Sequence, residues 1–436
     1  MNYKKYEYED YTIHFFKTDK FKSIMVSLIL INEFDKISLT KNALLRRLLT
    51  GSSKNYKNET EVIKKIYSLY NSGVYIENSF QNNVVSTDIS IEFLEDKYTE
   101  EGMLKKTLDF YFDVIFNPNV INNEFEHKNF CIAKKSLLNY YDREIEDKNS
   151  YAQMQAYELL REEYLRYPIN GYKEFLNDIS EKDMYEFYKK IFKTACSNIF
   201  VIGNFNEKEM LDIINKNVKG KLFKNKNKYI SNNFNKLDKL IEKTDKENNN
   251  QSKLVMIYKP INITERERND VFPVFNRIFG LGNNSKLFRN VRENKSLAYD
   301  IRSSFNRNDC LITVLAGISS ENKEETINAV KEELDNIEKG NFSDNDLKDA
   351  ILSRKRIIKE CMDEISSVFY SEIDHILCGN DRIDDKLKKS DTVTKNEIVL
   401  LANKLNLSVI YMLEGEKNEK NWSCRFKWVS FLWKIK

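Results

Sequence analysis

The order of secondary-structure signals along this chain is written twice, and that repetition constrains the fold more than any single motif. In the first half, residues 11–16 alternate and residues 23–31 form a longer apolar run, so both read as strands. A helical pattern over 39–49 stops at Thr50-Gly51-Ser52, and a second over 59–70 ends at Asn71-Ser72-Gly73. Strands at 74–80 and 84–93 follow, then helical patterns at 103–116, 122–141, 151–164 and 181–192, and a strand at 198–203. The second half runs through a strand (254–258), a helix (270–279), a Gly280-Leu281-Gly282 break and a helix (285–293). It continues with strands at 298–305 and 310–316, three or four helices, and a last strand at 407–413. Local text repeats as well. Tyr75-Ile76-Glu77-Asn78-Ser79-Phe80 is matched by Tyr299-Asp300-Ile301-Arg302-Ser303-Ser304-Phe305. Asn198-Ile199-Phe200-Val201-Ile202 is matched by Asn406-Leu407-Ser408-Val409-Ile410, with each half closing on its strand.

This order implies an α+β fold of two tandem homologous domains, each a mostly antiparallel sheet with helices packed on one face. Residues 1–223 are expected to form the first domain and 251–415 the second. Residues 224–250, rich in Lys, Asn, Asp and Glu, read as a linker, and 416–436 as a tail. A chain of 436 residues has the length for two such cores, and 12 Gly with 4 Pro favour long regular elements.

Several function classes are excluded on residue grounds. Lys+Arg 70 against Asp+Glu 67 leaves a net charge of +3, which gives no electrostatic footprint for nucleic acid. No GxGxxG or GxxxxGK[ST] stands between a strand and a helix, and no G-x-S-x-G elbow is present. Six cysteines are scattered without a CxxC pair, as expected of reduced thiols in a cytoplasmic protein. No signal-peptide pattern opens the chain and no apolar run is long enough to span a bilayer. Glu124-x-x-His127 and Glu372-x-x-His375 have a spacing used in di-iron bundles, but they lie at non-equivalent points of the repeat, so no metal or other cofactor is expected. His14 reads as a half-exposed strand residue. All three tryptophans fall within 422–436, an aromatic, basic stretch on which nothing is built.

One stretch is more specific. Gly280-Leu281-Gly282-Asn283-Asn284-Ser285-Lys286-Leu287-Phe288-Arg289-Asn290-Val291-Arg292-Glu293-Asn294-Lys295-Ser296-Leu297-Ala298-Tyr299 resembles the second-domain signature of the insulinase/pitrilysin (inverzincin) peptidases. The resemblance covers about residues 8–415 and is nearest to the bacterial and mitochondrial-processing-type members. It implies two clam-like halves around an extended peptide, with zinc held in the first domain by H-x-x-E-H on one helix face and by a glutamate from a later helix. In register with Gly51-Ser52, the motif positions hold Asn42-Ala43-Leu44-Leu45-Arg46. Asn42 and Arg46 stand for the two His and Leu45 for the Glu. The third-ligand register falls on Ile132-Ala133-Lys134-Lys135-Ser136, with Glu124 and Glu126 nearby. Arg292 and Tyr299 match the family pair that hydrogen-bonds substrate near the scissile carbonyl.

The resemblance therefore implies a non-catalytic, zinc-free subunit. It would pair with a zinc-bearing homologue as a heterodimer, or with itself, and supply Arg292 and Tyr299 to a chamber for short unfolded peptides. Zinc-less bacterial chains of this size resemble the subunit family associated with elongation-factor-P modification genes. The competing expectation is a structural or scaffold protein on the same fold with no role in proteolysis.

Overall fold

The computed structural model describes residues 1–81, 84–160, 167–223, 239–247, 251–307 and 309–415; most of the expected linker and the tail lie outside them. The chain forms two compact units. One comprises Met1–Glu146, Glu162–Asn232 and Arg356–Leu387, and the other Asp147–Arg161, Asn233–Lys355 and Lys388–Lys436.

The first unit is built on β1 (Asn2–Glu7), β2 (Thr12–Lys17), β3 (Ser23–Glu33), β4 (Val74–Gln81), β5 (Val84–Leu94) and β8 (Cys196–Gly203), in sheet order β1-β2-β8-β3-β5-β4. Strands β6 (Val120–Ile121) and β7 (Glu124–Phe125) form a separate small hairpin. The second unit holds β9 (Ile241–Glu247), β10 (Ser252–Pro260), β11 (Ala298–Asn306), β12 (Leu311–Ile318) and β13 (Leu405–Gly415), in order β11-β12-β10-β13-β9. The repeat is now explicit. β4-β5-β3-β8-β2 and β11-β12-β10-β13-β9 have the same order, with only the last pair of each parallel. The expected fold class stands. Strand β9 lies inside the stretch read as linker. Its sequence, IEKTDKE, is mostly exposed at a sheet edge, so it carries no apolar alternation to betray it.

Each sheet buries one face under helices of its own half. In the first unit, Val26, Leu28 and Leu30 of β3 pack with Leu44, Leu48, Leu108 and Ile115. Tyr111, on helix Met103–Phe116, fastens this layer: its buried hydroxyl accepts from Leu28 N (3.0 Å) and donates to Ile89 O (2.6 Å). Helices of the second unit cover its sheet in the same way, with Met256, Phe275, Phe279 and Val330 in one core.

The opposite faces are also covered, each by a helix from the other half of the sequence. Ile365–Cys378 lays Ile365, Val368, Phe369 and Ile373 on Phe16, Met25, Ile29, Phe200 and Ile202 of the first sheet. In the second unit, Lys148–Glu158 packs on β10 and β13 with Ala152 and Ala156 fully buried, and Tyr157 Oη lies 2.9 Å from Thr313 Oγ1. Burial on both faces explains why SIMVSLILINE is a continuous apolar run and not an alternating one.

Two further expectations need correction. Residues 122–126 are not helical. Asn122 and Asn123 have φ of 52° and 63° and turn the β6–β7 hairpin, and the helix begins at His127. His14 is not half-exposed but 2% exposed. Its ring stacks on Phe200 at 4.5 Å, with Tyr3 Oη 2.9 Å from Nδ1 and Asn198 Oδ1 3.4 Å from Nε2. It lies on the sheet face covered by the Ile365–Cys378 helix, a burial that sequence order could not reveal.

Burial lowers the His14 pKa to about 4 from an ordinary 6.5. The unfolded chain therefore binds the extra proton between those values. Stability is fully present above pH 6.5 and falls as pH drops toward 4, by up to about 3 kcal/mol. His14→Phe is expected to flatten that limb of a urea-midpoint-versus-pH curve; an unchanged slope would contradict the assignment. Phe369→Ala is expected to cost about 3–5 kcal/mol in the same measurement, since it empties the seat of the covering helix.

Candidate functional site

The segment read in the zinc-motif register, Asn42 to Arg46, sits on a helix, Lys36–Gly51, whose interior holds no Gly or Pro. Asn42 and Leu45 are 6% and 5% exposed, and Arg46 is partly exposed. Together with Leu30, Leu49, Ile76, Thr87, Ile89, Ile191 and Phe192 they line a cavity of only about 10 Å³, room for little more than one water. Asn42 Oδ1 is buried there without a hydrogen-bond partner. Leu45 is packed among apolar side chains and carries no acid–base group. Arg46 has no lone pair to offer a metal. The next residue, Arg47, brings a second guanidinium, with Nη1 donating to Ala43 O at 2.8 Å. Its pKa is held below the usual arginine value by burial and then by the Arg46 charge. Two cations beside the position are the reverse of a zinc environment.

The segment read in the third-ligand register, residues 132–136, offers no carboxylate. Lys134 Nζ donates to Asn177 O (3.1 Å) and Ile179 O (3.2 Å) and so ties down the segment before the next helix. Glu126 caps the helix it precedes, accepting from Lys128 N and Asn129 N at 2.9 Å each, and Glu124 is exposed on the hairpin. His375 Nδ1 lies 2.7 Å from Asn380 O, and Glu372 is buried beside Arg382. Among the described residues, no group of three His, Cys, Asp or Glu is placed to hold a metal ion.

Arg292 and Tyr299 belong to the second unit, and the helix of Asn42, Leu45 and Arg46 to the first. Local geometry explains the residues around them. A Cβ on Gly280 would come within 2.5 Å of Ser303 Oγ, so only glycine lets the β11 backbone close on this turn; Gly282 has φ +98°. Ser285 Oγ donates to Gly282 O (2.7 Å) and starts the next turn. Leu287–Asn294 is then wound as a π-helix, with Lys295 N donating to Asn290 O at 3.0 Å, before Ser296 reverses the chain at φ 53°. Arg292 lies over the Phe288 ring (4.6 Å), loosely paired with Glu293 at 3.7 Å, and its side chain stays 39% exposed. Tyr299 is the extra residue where the β11–β12 register slips between Ala298 and Asp300, a bulge that turns its side chain outward. It is 58% exposed with Oη 2.9 Å from Ser319 Oγ. Each of the pair has its own partner, and no hydrogen bond joins them. Neither the π turn nor the bulge leaves a signal in residue types, apart from the glycines before them.

The duplicated α+β fold is that of M16-type peptidase-like structures. Residues 178–353 match the family described as Peptidase M16 inactive domain. The chain is 25% identical to the probable inactive metalloprotease YmfF of Bacillus subtilis over 428 residues, covering 95% of this chain and 98% of that one. A conserved protein of Enterococcus faecalis has a crystal structure that superposes with a TM-score of 0.89, at 26% identity over 96% of this chain and all of that one. The M16 inactive domain structure from Pseudomonas fluorescens gives 0.72 at 14% identity, covering 96% and 99%, which bears on fold alone. Residues 178–353 thus carry the M16 match, and the similarity to a probable inactive metalloprotease runs nearly the whole length of the chain.

A buried amide oxygen without a partner is a cost that an apolar group of similar size would relieve. Asn42→Leu is therefore expected to leave urea stability unchanged or raise it by about 1 kcal/mol. A clear loss would mean that Asn42 is engaged in an interaction of its own.

Proposed function

We propose that this chain is the zinc-free subunit of a two-subunit M16-type peptidase. It would pair with a zinc-bearing homologue, or in a homodimer with a second copy of itself, and help to enclose short unfolded peptides. The observation that carries this reading is a contrast. The positions that would hold zinc are converted to packing and positive charge at Asn42, Leu45 and Arg46, while the Arg292–Tyr299 signature is retained with both side chains open to solvent. Chemistry supports the division of labour. A guanidinium and a phenol can clamp a peptide backbone and donate to the oxyanion that develops at an attacked carbonyl, and neither needs a metal on its own chain. The π turn and the bulge support it too, since both devices re-aim side chains at functional sites and neither is needed to close a sheet. The same reading keeps the protein in the cytoplasm; none of its five described cysteines is in a disulfide, and no described helix is long and apolar enough to cross a membrane.

The test is reconstitution. Alone, the chain is expected to bind no zinc and cleave no peptide; mixed with a zinc-bearing homologue, it should raise cleavage of short peptides. Arg292→Ala is expected to lower kcat/KM of the mixture by about 100-fold and Tyr299→Phe by about tenfold, with folding unchanged. A stable complex whose activity ignores both substitutions would point to the scaffold role instead. Zinc bound stoichiometrically by the lone chain would overturn the assignment altogether.

A further inference from the structure

A second cluster, unrelated to the peptide-binding reading, lies on the first unit where helix His127–Glu146 meets the start of helix Glu181–Thr194. Cys131 is exposed, and its Sγ lies 3.5 Å from His127 Nε2 one turn earlier on the same helix. The other ring nitrogen, His127 Nδ1, lies 2.6 Å from Glu181 Oε1. A carboxylate accepts only, so His127 donates from Nδ1 and leaves Nε2 as the acceptor facing the thiol. The order is nucleophile, base and orienting acid. Glu181 is suited to the last part. Despite partial burial, its own helix-terminal N–H and the His127 hydrogen bond hold its carboxyl below the usual range.

The rest of the helix face points the same way. Residues three and four apart are helix neighbours, so Cys131 is flanked by His127 and Lys128 on one side and by Lys134 and Lys135 on the other. Lys134 is held by the Asn177 and Ile179 carbonyls, whereas Lys128 and Lys135 are exposed. An accessible thiol with a proton acceptor in contact and cations along its face is the environment that distinguishes a reactive cysteine from a structural one.

We propose that Cys131 is a thiol-modification site that undergoes exchange with small anionic disulfides. His127 Nε2 takes the thiol proton, and the Cys131 sulfur attacks one sulfur of the disulfide. A new protein–small-molecule S–S bond forms as the old one breaks. The departing thiolate leaves as a thiol with the proton held by His127, so no external oxidant is needed beyond the disulfide itself. Lys128 and Lys135 favour an anionic reagent over a neutral one. Glu181 is a positioning residue, acting through the tautomer and orientation of His127.

The experiment uses the full chain with oxidised glutathione as the anionic probe and dithiodipyridine as the neutral one. Adducts are located by peptide mass mapping, with exposed Cys378 as the internal reference. Cys131 is expected to react with oxidised glutathione at least about tenfold faster than Cys378. That advantage should shrink in high salt, in Lys128→Gln/Lys135→Gln, and with the neutral probe. His127→Ala should remove most of it. Glu181→Ala should remove part and Glu181→Gln, which keeps an acceptor, should restore some, with circular dichroism unchanged throughout. A Cys131 no faster than Cys378, or a rate indifferent to His127→Ala in a folded protein, would overturn the proposal.

Discussion

Both sheets of this protein have two apolar faces, and covering the second face is the constraint on which the rest depends. The helices that follow in sequence cover only one. Left open, Phe16, Met25, Ile29, Phe200 and Ile202 would form an exposed apolar patch of the kind that drives association. One helix from the second half, seated by Phe369, closes the first sheet. One helix from the first half, with Ala152 and Ala156 against the strands, closes the second. Each unit therefore needs residues from both halves of the chain, and each has a core that its own half could not complete.

The inner helix of the first unit, Lys36–Gly51, is held by apolar packing. Its fold comes from Leu39, Leu44, Leu45, Leu48 and Leu49, none of which is a metal ligand. On the same helix Asn42 is buried with one unpartnered amide oxygen and Arg46 stays partly exposed. The signature in the second unit is constrained differently. Gly280 is required by the close approach of Ser303, Gly282 by its left-handed backbone, and the turn they make delivers the π-wound segment and the bulge that present Arg292 and Tyr299.

Much of this was legible in the residues. The doubled order of strands and helices and the α+β class follow from periodicity and turn residues, which are local properties. What escaped was also physical in origin. β9 leaves no such signal because an edge strand with one solvated side needs no apolar alternation. The 122–126 turn is hidden because Asn-Asn at positive φ interrupts an otherwise helical pattern. The burial of His14 is hidden because its cover comes from residues about 350 positions away in sequence.

The sequence by itself determined the repeat, and that Asn42, Leu45, Arg46, Arg292 and Tyr299 are the residue types at their positions, because each depends only on which residue types occur at which spacing. Tertiary structure decided which helix covers which sheet face, how the bulge aims Tyr299, and that His127 stands between Cys131 and Glu181. Those depend on contacts between distant residues, and such contacts leave no periodic trace in the chain.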